Sequence, residues 1–324
     1  MLTERDVRRG AQTVVHELPG LEVDNLLAVL ALLGLLRAIE AEEPGWNPRV
    51  SWAGPPWCAR LHLARSVSTT EVAKAAAKGI SRIASEFEVE GRSNVSFTRA
   101  EFREFATMSR AGAVQSALAA ALAAELPEKR GGGVFASPFV FMFGQGHQNF
   151  LDRLSAVSAG RAPDRFKKGK PSPDFGDSAF LERALFQPWR REDDGDGFRW
   201  DPNEDQRYAL RFGDPSRAGA APTVHGANRL ASVGLLSFPC APGGRRPGVP
   251  GVQRARGGDL FFVWPVWTEP MSLFGVERLL AHSDLVRGSG DLRALGVAEV
   301  YAARRVSNGK FMNVTRAVPR RPPA

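Results

Sequence analysis

Apolar residues run unbroken from Leu26 to Leu36, between Asp24 and Arg37. A membrane span needs about 20 such residues, so the run predicts a buried core helix. Its expected span is 25–43, with Asp24 or Asn25 accepting a backbone N–H at the start and Pro44-Gly45 ending it. Gly34 at the centre costs about 1 kcal/mol relative to Ala, tolerable where another backbone packs closely. Residues 1–18 read as a mobile polar lead-in. Short strands are predicted at 49–52 and 59–63, on either side of the turn Gly54-Pro55-Pro56. Ser68-x-x-Glu71 and Thr98-x-x-Glu101 have the spacing of capping boxes, opening helices predicted over 69–87 and 98–126.

An apolar stretch at 134–143 then gives way to a helix ending near 157, and a short helix is predicted at 178–186. The Gly-, Pro- and Arg-rich segment 241–258 reads as a long exposed loop. Strands are expected at 260–264, 297–306 and 310–314, with helices at 272–282 and 290–295. The pattern predicts an α+β fold. A mainly helical domain with a small β hairpin, 1–160, is expected to pack on a basic α+β domain with long Arg/Gly/Pro-rich loops, 161–324.

Charge sharpens that division. Residues 1–160 hold 17 Lys+Arg and 17 Asp+Glu, whereas 161–324 hold 26 and 18, which supplies the whole net charge of +8. A basic half beside a neutral one points to a polyanionic partner, because phosphate binding draws on clustered cations and released counterions. Arginine outnumbers lysine 36 to 7, which codon bias explains; bias explains the placement less well. The two cysteines, Cys58 and Cys240, have no metal-ligand or disulfide-framework spacing and suit a reducing cytosol. Glu17, Glu22 and Asp24 stand where a signal peptide carries basic residues, so a cytoplasmic location without membrane contact is expected.

Candidate chemistry lies in three places. Gln145, His147 and Gln148 sit in a Gly-containing turn before a helix, where free N–H groups suit a nucleic-acid backbone or a simple helix cap. No Walker lysine and no full GxGxxG accompany them, so no nucleotide cofactor is expected. His147 has no HExxH or HxH partner among the other histidines, and no metal is assigned. The block Trp200-Asp201-Pro-Asn-Glu204-Asp205-Gln-Arg207-Tyr208 reads as a structural motif. There the acids cap N–H groups and orient Arg207. The alternative is a magnesium nuclease using Asp201, Glu204, Asp205 and Asp214. Finally, Arg245, Arg246, Arg254, Arg256, Arg304, Arg305, Lys310 and Arg316, interleaved with Phe311 and Asn313, offer phosphate clamps and a stacking platform. The competing reading is a solvated face with Phe311 in the core.

Several blocks resemble proteins of CRISPR subtype I-G (formerly I-U) systems. Asp24-Asn-Leu-Leu-Ala-Val-Leu-Ala-Leu-Leu-Gly-Leu-Leu-Arg37 is similar to that family's opening, and the Trp200–Leu210 block with Gly213-Asp-Pro-Ser216 is similar to a second. Gly226-Ala-Asn228-Arg229-Leu-Ala231, Phe262-Val-Trp-Pro-Val-Trp267 and Arg304-Arg305 with Gly309-Lys310-Phe311 continue the likeness over residues 20–316. By length the chain looks closer to the small extension-type protein associated with the helicase–nuclease than to that subtype's large subunit, the other branch it resembles. The resemblance implies a role in antiviral RNA-guided DNA interference, where base pairing reads sequence and protein holds backbone and shape. The expected partners are other effector subunits, the helicase–nuclease, and guide RNA or target DNA. It implies an accessory subunit, not an enzyme. A protein-interaction scaffold without nucleic-acid contact is the remaining alternative.

Overall fold

The computed structural model describes residues 13–87, 89, 91–127, 132–141, 150–161, 174–193, 197–203, 223–243, 246–288, 292–308 and 311–320. Their elements are, in order, β1 (Val14–Leu18), α1 (Leu26–Glu42), β2 (Arg49–Ala53), β3 (Cys58–Leu63), α2 (Thr69–Ala84), α3 (Arg99–Met108), α4 (Ala113–Leu122), β4 (Ala123–Leu126), β5 (Gly133–Ala136), α5 (Phe150–Ser158), α6 (Ser178–Phe186), α7 (His225–Gly234), β6 (Val252–Arg254), β7 (Leu260–Trp267), α8 (Leu273–Leu280), α9 (Ser283–Arg287), β8 (Val297–Asn308), β9 (Phe311–Val314) and β10 (Val318–Pro319). The fold is α+β, as the pattern predicts.

The apolar run forms α1, capped by the Asn25 side chain, which accepts from the Leu27 amide. Apolar on all sides, it is buried from Leu26 to Leu36 and becomes the centre of the core. Helix α7 lies directly against it at a glycine crossing. A Cβ on Gly34 would fall on the Leu230 carbonyl, and one on Gly234 on the Leu30 carbonyl. The close backbone that would excuse Gly34 is therefore α7. Both capping boxes form, at Ser68–Glu71 and Thr98–Glu101.

Three sheets surround this helical centre: β1-β3-β2, β10-β8-β7-β6 with β9 on β8, and the β4-β5 hairpin. The first two meet where Val50 pairs with Met271 and the Trp267 indole donates to the Val50 carbonyl at 2.8 Å. Trp52 packs edge-on against Trp267 at that seam. One hydrophobic core contains residues from both halves of the chain, from Leu18 to Ala317.

Three sequence expectations change. Residues 14–18 are a strand rather than a lead-in, held by antiparallel pairing with β3. The helix predicted over 98–126 is broken at Gly112 and stops at Leu122. Its last carbonyls accept from outside the helix, Ala120 from the Cys240 amide at 2.7 Å and Leu122 from the Ser137 amide at 2.8 Å. With those acceptors satisfied by tertiary donors, the alanine-rich continuation is free to pair as β4 with β5. The loop expected over 241–258 contains β6, an edge strand on β7.

Candidate nucleic-acid interface

Strand register places the basic residues. In the large sheet Leu260 of β7 lies opposite Arg254 on one side and Arg305 on the other. Directly opposed residues share a face, so the two arginines flank a buried leucine. Farther along that face Phe262 packs against Phe139 and Phe141, at 4.8 and 5.6 Å between ring centroids. The Arg305 guanidinium reaches the Pro138 carbonyl at 3.5 Å. From the loop before β6, Arg246 lies over the Phe135 ring at 4.8 Å.

These three guanidiniums act on one another. Burial first, and then the Arg246 charge, pushes the Arg254 pKa down; burial and then Arg254 do the same to Arg305. Among the described residues none of the three has a carboxylate ion-pair partner, whereas Arg37, Arg60, Arg82, Arg103 and Arg191 all have one. Clustered like charges with no described carboxylate partner favour an anion nearby. Cys240 lies beside this cluster, and burial pushes its thiol up to about 11, which keeps it protonated and inert.

The other proposed contacts fall elsewhere. Arg304 alternates to the opposite face of β8, half exposed, with Asp259 at 3.9 Å. Asn313 pairs with Val306 in β9, and the Phe311 backbone pairs with Asn308. Arg316 leaves the basic set altogether: its guanidinium is clasped by Asp24 at 2.7 Å and Glu22 at 2.9 Å. Gln145, His147, Gln148, Arg245 and Lys310 lie outside the described residues.

Trp200 and Asp201, at the start of the tryptophan–acid block, are built into the core. Trp200 is fully buried, stacks on Phe198 at 4.4 Å and donates to the Phe139 carbonyl at 2.8 Å. Asp201 accepts from Arg191 Nε at 2.7 Å and a terminal nitrogen at 3.2 Å, from Asn25 Nδ2 at 3.0 Å and from the Asn203 amide at 2.9 Å. Four donors engage this carboxylate, three on Oδ1 and one on Oδ2, and tie the 197–203 segment to the start of α1. The sequence points to Arg207 as the partner arginine, whereas the arginine on Asp201 is Arg191. Glu204, Asp205, Arg207, Tyr208 and Asp214 lie outside the described residues, and among the described ones no group of three metal-ligating side chains converges.

Asn228 and Arg229 on α7 are also struts. The Asn228 oxygen accepts from the Phe198 amide at 3.0 Å, and its nitrogen donates to Thr223 and to the Val224 carbonyl. Arg229 donates to the Ser158 and Gly176 carbonyls and to Ser81 Oγ. A buried arginine spending its donors on carbonyls joins α2, α5 and α7 into one body. No helix among the described residues is long and apolar enough to cross a membrane. Comparison with protein-family models, curated proteins and solved structures finds no match to this chain.

Proposed function

We propose that this chain is a non-catalytic subunit of a type I CRISPR interference system, and that it holds guide RNA or target DNA through Arg246, Arg254 and Arg305. The observation that carries this reading is the meeting of three arginines at one face of the large sheet, with no carboxylate ion-pair partner among the described residues. Guanidiniums bind phosphate in a planar, two-pronged fashion, and Phe135 beneath Arg246 offers a base a surface to stack on. The resemblance of the ordered sequence blocks to subtype I-G proteins supplies the biological setting. Hydrolysis falls to the helicase–nuclease partner, and Asp201, already engaged by four donors, gives the nuclease alternative no support.

Binding of a labelled single-stranded RNA and of a DNA duplex tests this reading. Arg254→Ala combined with Arg305→Ala is expected to weaken binding by about tenfold or more at moderate salt. Arg304→Ala, on the opposite face beside Asp259, is expected to do much less. Equal losses in the two variants would place the binding surface elsewhere, and no loss in either would leave the arginines to a protein partner.

A further inference from the structure

A second site lies in the same sheet, around Tyr301 of β8. Tyr301 and Arg305 are four positions apart on one strand face, which separates them by roughly 13 Å. Around Tyr301 opens a cleft of about 550 Å³, walled by Pro55, Pro56, Trp57 and Pro319 among others. Among the described residues its charged lining is Glu22, Asp24 and Glu299 against Arg316. In a chain of net charge +8, this is a locally acidic hollow.

The carboxylates there differ in how they are held. Glu22 and Asp24 already grip the Arg316 guanidinium in a forked arrangement, and Arg191 lies 4.0 Å from Glu22 as well. The cleft's own chemistry thus accepts an arginine. Among the described residues Glu299 pairs with no cation. It accepts from the Trp57 indole at 2.9 Å, which fixes its orientation beside the proline walls; burial and then the Glu299 charge push the pKa of the neighbouring Tyr301 hydroxyl up. A carboxylate offers about four acceptor positions, which leaves Glu299 able to receive further donors. A fixed carboxylate between tryptophan and tyrosine suits a cationic head whose stem lies on the rings. Proline and aromatic walls suit an extended backbone, since a preformed extended peptide loses little entropy on docking.

We propose that this cleft receives an arginine-bearing extended peptide segment of a protein partner, with Glu299 taking the guanidinium and Trp57 and Pro56 taking the stem and neighbouring residues. The site is independent of the arginine cluster and uses the opposite charge. It would let the chain meet an acidic polymer and a basic protein at separate positions on one strand.

Fluorescence anisotropy with the full chain tests the proposal, using fluorescein-labelled Pro-Arg-Pro-Pro-Arg-Pro and the same peptide with both arginines replaced by citrulline, a neutral isostere. The arginine peptide is expected to bind about tenfold or more tighter than the citrulline one. Glu299→Gln removes the charge and keeps the shape, and should lower arginine-peptide affinity about fivefold or more. Glu22→Gln, at a carboxylate 40% exposed, should weaken it in the same direction and keeps the test open if Glu299→Gln does not fold. Arg254→Ala with Arg305→Ala should leave peptide binding unchanged. Equal binding of the two peptides, wild-type affinity in whichever acid variants fold, or loss of binding in the double arginine variant would each overturn the proposal.

Discussion

Single buried polar groups hold distant parts of this chain together, and Asp201 is the clearest case. Its carboxylate is fully buried and satisfies Asn25, Arg191 and the Asn203 amide at once. Asp201→Ala would leave those donors without an acceptor, one of them charged, and should destabilise the fold by about 3 kcal/mol. Urea unfolding measures this, and a loss under about 1 kcal/mol would contradict the assignment. His225 is the second case. It is stacked on Phe175 at 4.2 Å, its Nδ1 is buried without a partner, and burial pushes its pKa down from 6.5 to about 4. The unfolded chain therefore binds the extra proton between those two values. Stability from this residue is complete above pH 6.5 and falls, by about 3 kcal/mol in all, as pH drops toward 4. His225→Phe keeps the stacking and removes the titration, so its stability profile should be flatter across that window; an unchanged slope would assign the acid sensitivity to other groups. Asp201 sits in a structural network whose partners the sequence did not mark, and Glu204 and Asp205 lie outside the described residues. Asn25 lies 176 positions from Asp201, and nothing local marks Arg191 over Arg207 as the cation that reaches it.

Elements were legible where local signals agree with tertiary packing. The apolar run, the Asn25 cap and both capping boxes gave α1, α2 and the start of α3 nearly to the residue. Prediction failed where outside donors or neighbours decide. The alanine-rich 113–126 segment has helical propensity throughout, yet β4 forms because the Cys240 and Ser137 amides take the carbonyls near the end of α4. Strand β1 showed its alternation, with Leu18 inward and Glu17 outward, but a five-residue strand is persuasive only once β3 is beside it. The crossing of α1 and α7 carries its own prediction. Gly34→Ala places a methyl on backbone atoms of α7, which cannot rotate away as a side chain can. The strain should outweigh Ala's better helix propensity and destabilise by about 2 kcal/mol net. Gly45→Ala, with no atom within 4 Å of the added carbon, is the matched control and should be neutral or slightly stabilising. Equal denaturation midpoints for the two variants would show that the helices do not meet as closely as described.

At the scale of the whole molecule, charge is sorted by strand geometry rather than by position in the sequence. The excess of arginine in the second half was visible by counting, but counting could not separate Arg305 from Arg304, which differ by one residue and face opposite sides of β8. Nor could it show that Arg316 is neutralised by Glu22 and Asp24 from the far end of the chain. Among the described residues Arg246, Arg254 and Arg305 form a cluster with no carboxylate ion-pair partner, and the proposed function stands on it. Phosphate binding by that group must release counterions, so affinity for single-stranded RNA should fall steeply and linearly in a plot of log K against log salt concentration. The double variant Arg254→Ala with Arg305→Ala should show a slope shallower by about 1.4, two phosphate contacts at ~0.7 each. Identical slopes for the wild type and the variant would contradict the account.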